Sequence, residues 1–232
     1  MFEHCPRFGA ECRLLELWYT LNMKLLLASK EKFLIDKGYE SLGIPKNKLK
    51  IGYVTTALNA VVNLNYLTYM KEYKAEMIKE NIDFEEFDIK DKSEKEIRDF
   101  FADKNVIQVN GGNPFYLLKA VRESGFDKVL SDLLNNGLCY VGCSSGSYIM
   151  CPTVEVGAWK TDRNKYGVTD FTALGYVPFL IKCHYTDDSK EKVLENAKDL
   201  KYPLRVLKDD QAFLIKDGNC TFVGNGEEVK LY

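Results

Sequence analysis

Along most of the chain, short and almost wholly apolar runs alternate with longer stretches in which apolar residues recur every three or four positions. A run that can be buried on both faces suits a central strand of a parallel sheet, and the longer period is that of a helix lying on it. The first run is "KLLLA" after Met23, with a helix start at Ser29 and the helix itself near 30–41. "KIGYVTTA" (50–57) precedes an amphipathic stretch near 62–81, and "FEEFDI" (84–89) precedes "SEKEIRDFFADK". There Ser93 and Glu96 have the spacing of a capping box. "NVIQVN" (105–110) leads into "NPFYLLKAVRESG", where Pro114 suits a first helical turn and Gly125 a stop. "FDKVLSDLLNNG" is a further helix, ended by Gly137, and it feeds the strand "LCYVGC".

The rhythm changes after residue 150. "VPFLIKCH" (177–184) reads as a strand, and "DSKEKVLENAKDL" reads as a helix capped by Asp188 or Ser189. "PLRVLKD", "AFLIKDG", "CTFVG" and "EEVKLY" read as shorter strands joined by Asp-Gly and Asn-Gly turns. The expectation is a single three-layer α/β domain, with a mostly parallel sheet flanked by helices and antiparallel strands toward the C-terminus. The domain is expected to run over 23–232. Residues 1–22 stand apart as an N-terminal extension without the pattern of a secretory signal. Two readings of it stay open, a mis-set start codon and a helix, "ECRLLELWYTL", packed on the body.

Composition narrows the function classes. The 232 residues are 46% hydrophobic and 28% charged, as in ordinary soluble domains. A net charge of -2, from 32 basic and 34 acidic residues, argues against nucleic acid and anionic membrane as main partners. No apolar run reaches the ~18 residues of a membrane span. The seven cysteines are odd in number, contain no C-x-x-C pair and include several inside strand-like runs, so they read as reduced thiols in a cytoplasmic protein. With His4 and His184 as the two histidines, no metal site is expected.

The segment that carries chemistry is "CYVGCSSGSYIM" (139–150), in which Gly142 and Gly146 bracket Ser144 where a buried strand ends. A serine between strand and helix, at the carboxyl edge of a parallel sheet, points its hydroxyl into the usual ligand site. The tight turn needs small neighbours, and the helix start offers unpaired N–H groups, that of Ser145 first, for a developing oxyanion. The bland alternative is an ordinary turn that matches G-x-S-x-G by chance. Cys143 is a stronger nucleophile by nature, but in its frame Val141 and Ser145 fall where glycine is needed. The base available to Ser144 is His184, at the end of "VPFLIKCH", since His4 lies in the extension. Gly111 and Gly112 of "VNGGNPF" face the same edge, and Gly112 is the better second oxyanion donor. The plain reading of that loop is a helix cap at Asn113.

Together these residues resemble peptidase family S51, the group containing peptidase E (α-aspartyl dipeptidase) and cyanophycinase. The resemblance rests on "NGGNPFYLLKAV", on "YVGCSSGS" with "CPT" after it, and on "FTALGYVPFLIKCHY". It implies a fold like that of the class I glutamine amidotransferases and a serine peptidase with no metal or organic cofactor. It makes Ser144 the nucleophile and His184 the base, gives the oxyanion to the N–H groups of Gly112 and Ser145, and leaves Gly111 and Asn113 to the substrate. Counting back from "FTAL" puts the acid at Asp162, with Glu155 as the alternative and Asp187 or Asp209 next in line. Ser145 replaces the family's usual alanine, and Cys183 its usual proline. The segment after His184 lacks the arginine-bearing loop of peptidase E, so selectivity for an amino-terminal aspartate is expected to be weak or altered. The implied partner is a short peptide, with a homodimer as one assembly open to the protein. The readings set against it are an esterase of α/β-hydrolase type and a catalytically silent small-molecule-binding relative.

Overall fold

The computed structural model describes residues 23–159 and 166–231; the extension over 1–22, with His4, lies outside them. Strands β1 (Lys24–Ala28), β2 (Lys50–Val54), β3 (Asp83–Phe87), β4 (Val106–Val109) and β5 (Cys139–Cys143) are mutually parallel where they pair. β8 (Gln211–Lys216) and β9 (Asn219–Gly224) extend the sheet antiparallel, giving the order β3-β2-β4-β5-β1-β8-β9. The apolar runs predict this arrangement because side chains of both strand faces are buried. Leu25 and Leu27 of β1 enter one core while Leu26 and Ala28 enter the other. The first core is closed by helices α2 (Glu94–Phe101), α3 (Pro114–Ser124) and α4 (Phe126–Asn135), through residues such as Ile97, Phe115 and Val129. A helical segment over 32–41 and α1 (Leu64–Lys79) close the second, through Leu34, Met70 and Met77. Burying each such side chain contributes roughly 1.5–3 kcal/mol, so the sequence strongly favours a sheet covered on both faces.

The helix-end signals act as expected in several places. Ser93 and Glu96 form the reciprocal capping box of α2, and Gly125 ends α3 with φ 71°. Four readings need correction. The segment over 50–57 leaves the sheet at Val54 and winds into a 3₁₀ turn, Thr56–Ala60. The expected strand over 177–184 shrinks to β6 (Leu180–Lys182), which pairs in parallel with β7 (Leu204–Val206) in a separate two-stranded sheet. The helix after it, α6 (Lys190–Ala197), has Ser189, not Asp188, at its N-cap position, without a side-chain cap hydrogen bond, and is entered through a 3₁₀ turn that Thr186 caps. Of the expected strand "EEVKLY", residues 227–231 form no strand; instead Glu228 grips the Arg205 guanidinium through two 2.7 Å hydrogen bonds. Among the described residues no helix is long and apolar enough to cross a membrane.

Candidate active site

Ser144 sits between β5 and the short helix α5 (Ser145–Tyr148), with φ 47° and ψ -104°. That conformation costs a non-glycine residue about 1–3 kcal/mol and persists only where the surroundings enforce it. Here its N–H donates to the Ala28 carbonyl at 3.1 Å, and the Ser147 hydroxyl shares its one proton between the Ala28 and Gly142 carbonyls, at 2.8 and 2.9 Å. The bracketing glycines serve a different need. A Cβ on Gly142 would stand 2.5 Å from the Gly146 carbonyl oxygen, and one on Gly146 would stand 2.1 Å from that of Val109. They are small so that α5 can lie against the ends of β4 and β5, while the strain falls on the serine itself. Cys143 points into the core below the turn, and burial pushes its thiol far above the usual range. It cannot supply a thiolate.

His184 Nε2 lies 3.1 Å from Ser144 Oγ, and His184 Nδ1 lies 2.6 Å from Asp209 Oδ1. The histidine arrives from the small β6–β7 sheet rather than from the main one, and it too has a positive φ, 58°. Its backbone is held there by Ser29, whose hydroxyl accepts from the His184 N–H at 2.8 Å and donates to Asp209 at 3.4 Å. Lys30 Nζ stands 3.2 Å from the other Asp209 oxygen. The hydrogen bond from His184, helped by Lys30, holds the half-exposed Asp209 carboxyl down at about 2. A carboxylate, an imidazole and a hydroxyl are thus in line, with the acceptor properties a proton relay needs.

The Gly111–Asn113 loop faces this line. Gly111 N–H donates to Glu31 Oε1 at 3.0 Å and Asn113 N–H to the Ala57 carbonyl at 3.0 Å, while the Ser145 hydroxyl donates to the Gly112 carbonyl at 2.7 Å. The Gly112 N–H is left without a partner among the described residues, as an oxyanion donor must be. Gly112 has φ 142°, and a Cβ there would meet the Ala57 carbonyl at 2.3 Å, so glycine is required on both counts. Ser145, the departure from the family's alanine, has a role that sequence reasoning missed: its side chain orients the Gly112 peptide.

Ser144, Ser145, His184 and Gly112 open together on a cleft of about 520 Å³, walled by Tyr66, Val61 and Tyr148 among others. Lys182, two residues before His184 and buried, also lines it, with its ammonium donating to the Cys183 carbonyl. Asn113 reaches the cleft, but its side-chain oxygen caps α3 by accepting from Phe115 and Tyr116 at 3.0 Å each, the plain reading of that residue. Gly111 turns its N–H inward to Glu31 and is not on the cleft wall. The expected acids need the clearest correction. Glu155 is turned to Thr153, whose hydroxyl donates to it at 2.7 Å, and it does not reach His184. Asp162 lies outside the described residues, and the place at His184 Nδ1 that it was expected to fill is taken by Asp209. Asp187 pairs with Lys208 at 2.9 Å. A signal for Asp209 was present in the topology: an antiparallel strand starts where its parallel neighbour ends, so the turn before β8 delivers Asp209 beside Ser29 at the end of β1.

The family model described as "Peptidase family S51" matches residues 43–229. "Uncharacterized peptidase PM1590" of Pasteurella multocida is 27% identical over 207 residues, covering 87% of this chain and 98% of that protein. "Peptidase E" of Salmonella arizonae is 32% identical over 126 residues, so the matched part spans 53% of this chain and 54% of that relative. A solved structure from Listeria monocytogenes EGD-e, described as a "Putative Peptidase E Protein", superposes with a TM-score of 0.76 over 88% of this chain and 99% of its own. At 22% identity that likeness shows the fold.

Proposed function

The chain belongs to peptidase family S51 and is a hydrolase of the serine-peptidase type, and from that premise we propose that it cleaves short peptides through Ser144, His184 and Asp209. The observation that carries the proposal is the unbroken contact from Asp209 to His184 to Ser144, at 2.6 and 3.1 Å. In this reading His184 Nε2 takes the Ser144 proton as Oγ attacks the scissile carbonyl. The N–H groups of Gly112 and Ser145 hold the oxyanion, and His184 returns the proton to the leaving amine. Water then attacks the acyl-enzyme with His184 as base, regenerating the serine. Asp209 fixes the imidazole with its Nδ1 proton inward and stabilises the charge it gains. No step calls for a metal or an organic cofactor.

The cleft volume of about 520 Å³ suits a dipeptide-sized ligand. Selectivity for amino-terminal aspartate is proposed to be weak, since the arginine-bearing loop is missing after His184. Family membership sets aside the esterase of α/β-hydrolase type. A panel of Asp-Xaa, Ala-Xaa and Leu-Xaa dipeptides beside simple esters tests the reading. Expected is hydrolysis of dipeptides without a strong Asp-Xaa preference, abolished in Ser144→Ala. Turnover of esters alone, or of no substrate by a protein whose Ser144 is unreactive, would overturn it.

A further inference from the structure

Glu31 is a carboxyl group that the reaction does not consume, yet it is 1% exposed at the floor of the site. Burying a carboxyl is costly unless hydrogen bonds repay it, so what it bonds to is informative. One oxygen, Oε1, accepts both from the Gly111 N–H at 3.0 Å and from the Tyr66 hydroxyl at 3.2 Å. Tyr66 lies on α1 and lines the cleft, while Gly111 begins the loop that carries the free Gly112 N–H. A Cβ on Gly111 would stand 2.6 Å from the Tyr66 hydroxyl, 3.0 Å from Glu31 Oε1 and 3.2 Å from Ser144 Cβ. Glu31, the cleft wall and the nucleophile therefore converge on one peptide group.

We infer that Glu31 is a positioning residue, whose carboxyl oxygen holds the Gly111 peptide so that the next N–H, that of Gly112, points at the developing oxyanion. Three ties fix this loop: Glu31 on the Gly111 N–H, Ala57 on the Asn113 N–H, and the Ser145 hydroxyl on the Gly112 carbonyl. Two of them come from main chain or from the nucleophile's own turn. Glu31 is the one supplied by a side chain from another strand's end. A peptide plane freed at Gly111 can rotate, and rotation at Gly111 swings the Gly112 N–H away from the site. Donors of this kind act by being fixed before charge develops, and losing one costs about 10²–10³ in kcat. The role requires an acceptor atom and no negative charge, so an amide can replace the carboxyl.

The inference rests on Ser144 being the nucleophile, and one probe separates the two. A fluorophosphonate is attacked at phosphorus by Ser144 Oγ, fluoride leaves, and the phosphoryl oxygen takes the oxyanion's place. Labelling rates are compared for wild type, Glu31→Gln and Glu31→Leu, beside kcat and KM on the best dipeptide and melting curves. Expected is a wild type labelled at Ser144, a Glu31→Gln rate within about threefold of it, and a Glu31→Leu rate lower by about 10- to 100-fold. The loss in Glu31→Leu should fall on kcat with KM little changed. An unlabelled wild type sinks the serine-peptidase reading and this inference with it. A folded Glu31→Leu that labels like a labelled wild type sinks the inference alone. If Glu31→Leu does not fold, Glu31→Ala takes its place with the same expectation, and a loss of tenfold or more in a folded Glu31→Gln overturns the inference because an acceptor atom is then not what the site needs.

Discussion

A serine hydroxyl in water is too weak a nucleophile to attack an amide, and in the proposed reaction the neighbours of Ser144 change this. The imidazole of His184 stands 3.1 Å away to take the proton, and the strained backbone keeps Oγ out of the core, where the Cys143 thiol is buried. Ser144→Ala is therefore expected to lower kcat by about 10⁴–10⁶ with the fold intact, while Cys143→Ala keeps most activity. Steady-state rates beside circular dichroism check this, and a dead but folded Cys143→Ala would reverse the assignment. The same reasoning applies to the acid. Asp209→Asn preserves shape but offers His184 Nδ1 a group that can donate, which favours the wrong tautomer, at a cost of about 10⁴ in kcat. Glu155→Gln, compared at the same pH, is expected to have a mild effect, because its carboxylate answers to Thr153.

At the scale of elements, much of this site was legible because strand ends in a parallel sheet all open on one edge. "LCYVGCSSGS" and "NVIQVNGGNPF" each announce a buried strand, a small-residue turn and a helix, and both turns meet where expected. What was not legible depends on chain crossings that local pattern does not encode. His184 follows by two residues a strand of three residues in a second sheet, and the apolar run before it gives no sign of which sheet it joins. Asp209 stands in "KDDQ", polar residues of the kind that fill any turn, and its place beside His184 comes only from β8 running antiparallel beside β1. Ser29 and Glu31 looked like a helix start and are instead the braces of His184 and Gly111. The turn glycines give a test at this scale. Gly146→Ala forces a Cβ to within 2.1 Å of the Val109 carbonyl oxygen, in backbone that has no flexible side chain to yield. The variant is expected to lose about 1–3 kcal/mol of stability and, because α5 must lift, most of its activity. Denaturant midpoints measure the first, and an unchanged midpoint would show that the packing of α5 on β4 is looser than these contacts require.

Across the whole molecule the two carboxyl groups beneath the site act on stability with opposite sign. Asp209 is held down at about 2, chiefly by its hydrogen bond from His184. Its contribution is thus present above the ordinary aspartate range and lost only as pH falls toward 2, and its exposure keeps that contribution small. Glu31 is pushed up, because burial outweighs its bonds from its own backbone and Gly111, the nearby charge of His184 and the Tyr66 hydroxyl. Below the ordinary glutamate value, near 4.5, it is protonated in both the folded and the unfolded chain and has no effect. As pH rises past that value the unfolded chain releases the proton while the folded chain still holds it, so folding grows less favourable until the raised value is passed. Glu31→Gln removes this linkage and keeps an acceptor for Gly111. Melting temperatures of wild type and Glu31→Gln are therefore expected to match in their pH slope below about pH 4 and to diverge above it, the variant gaining on the wild type toward neutral pH. A gap that stays constant from pH 4 to pH 8 would mean that Glu31 titrates alike in both states, with its hydrogen bonds fully offsetting its burial.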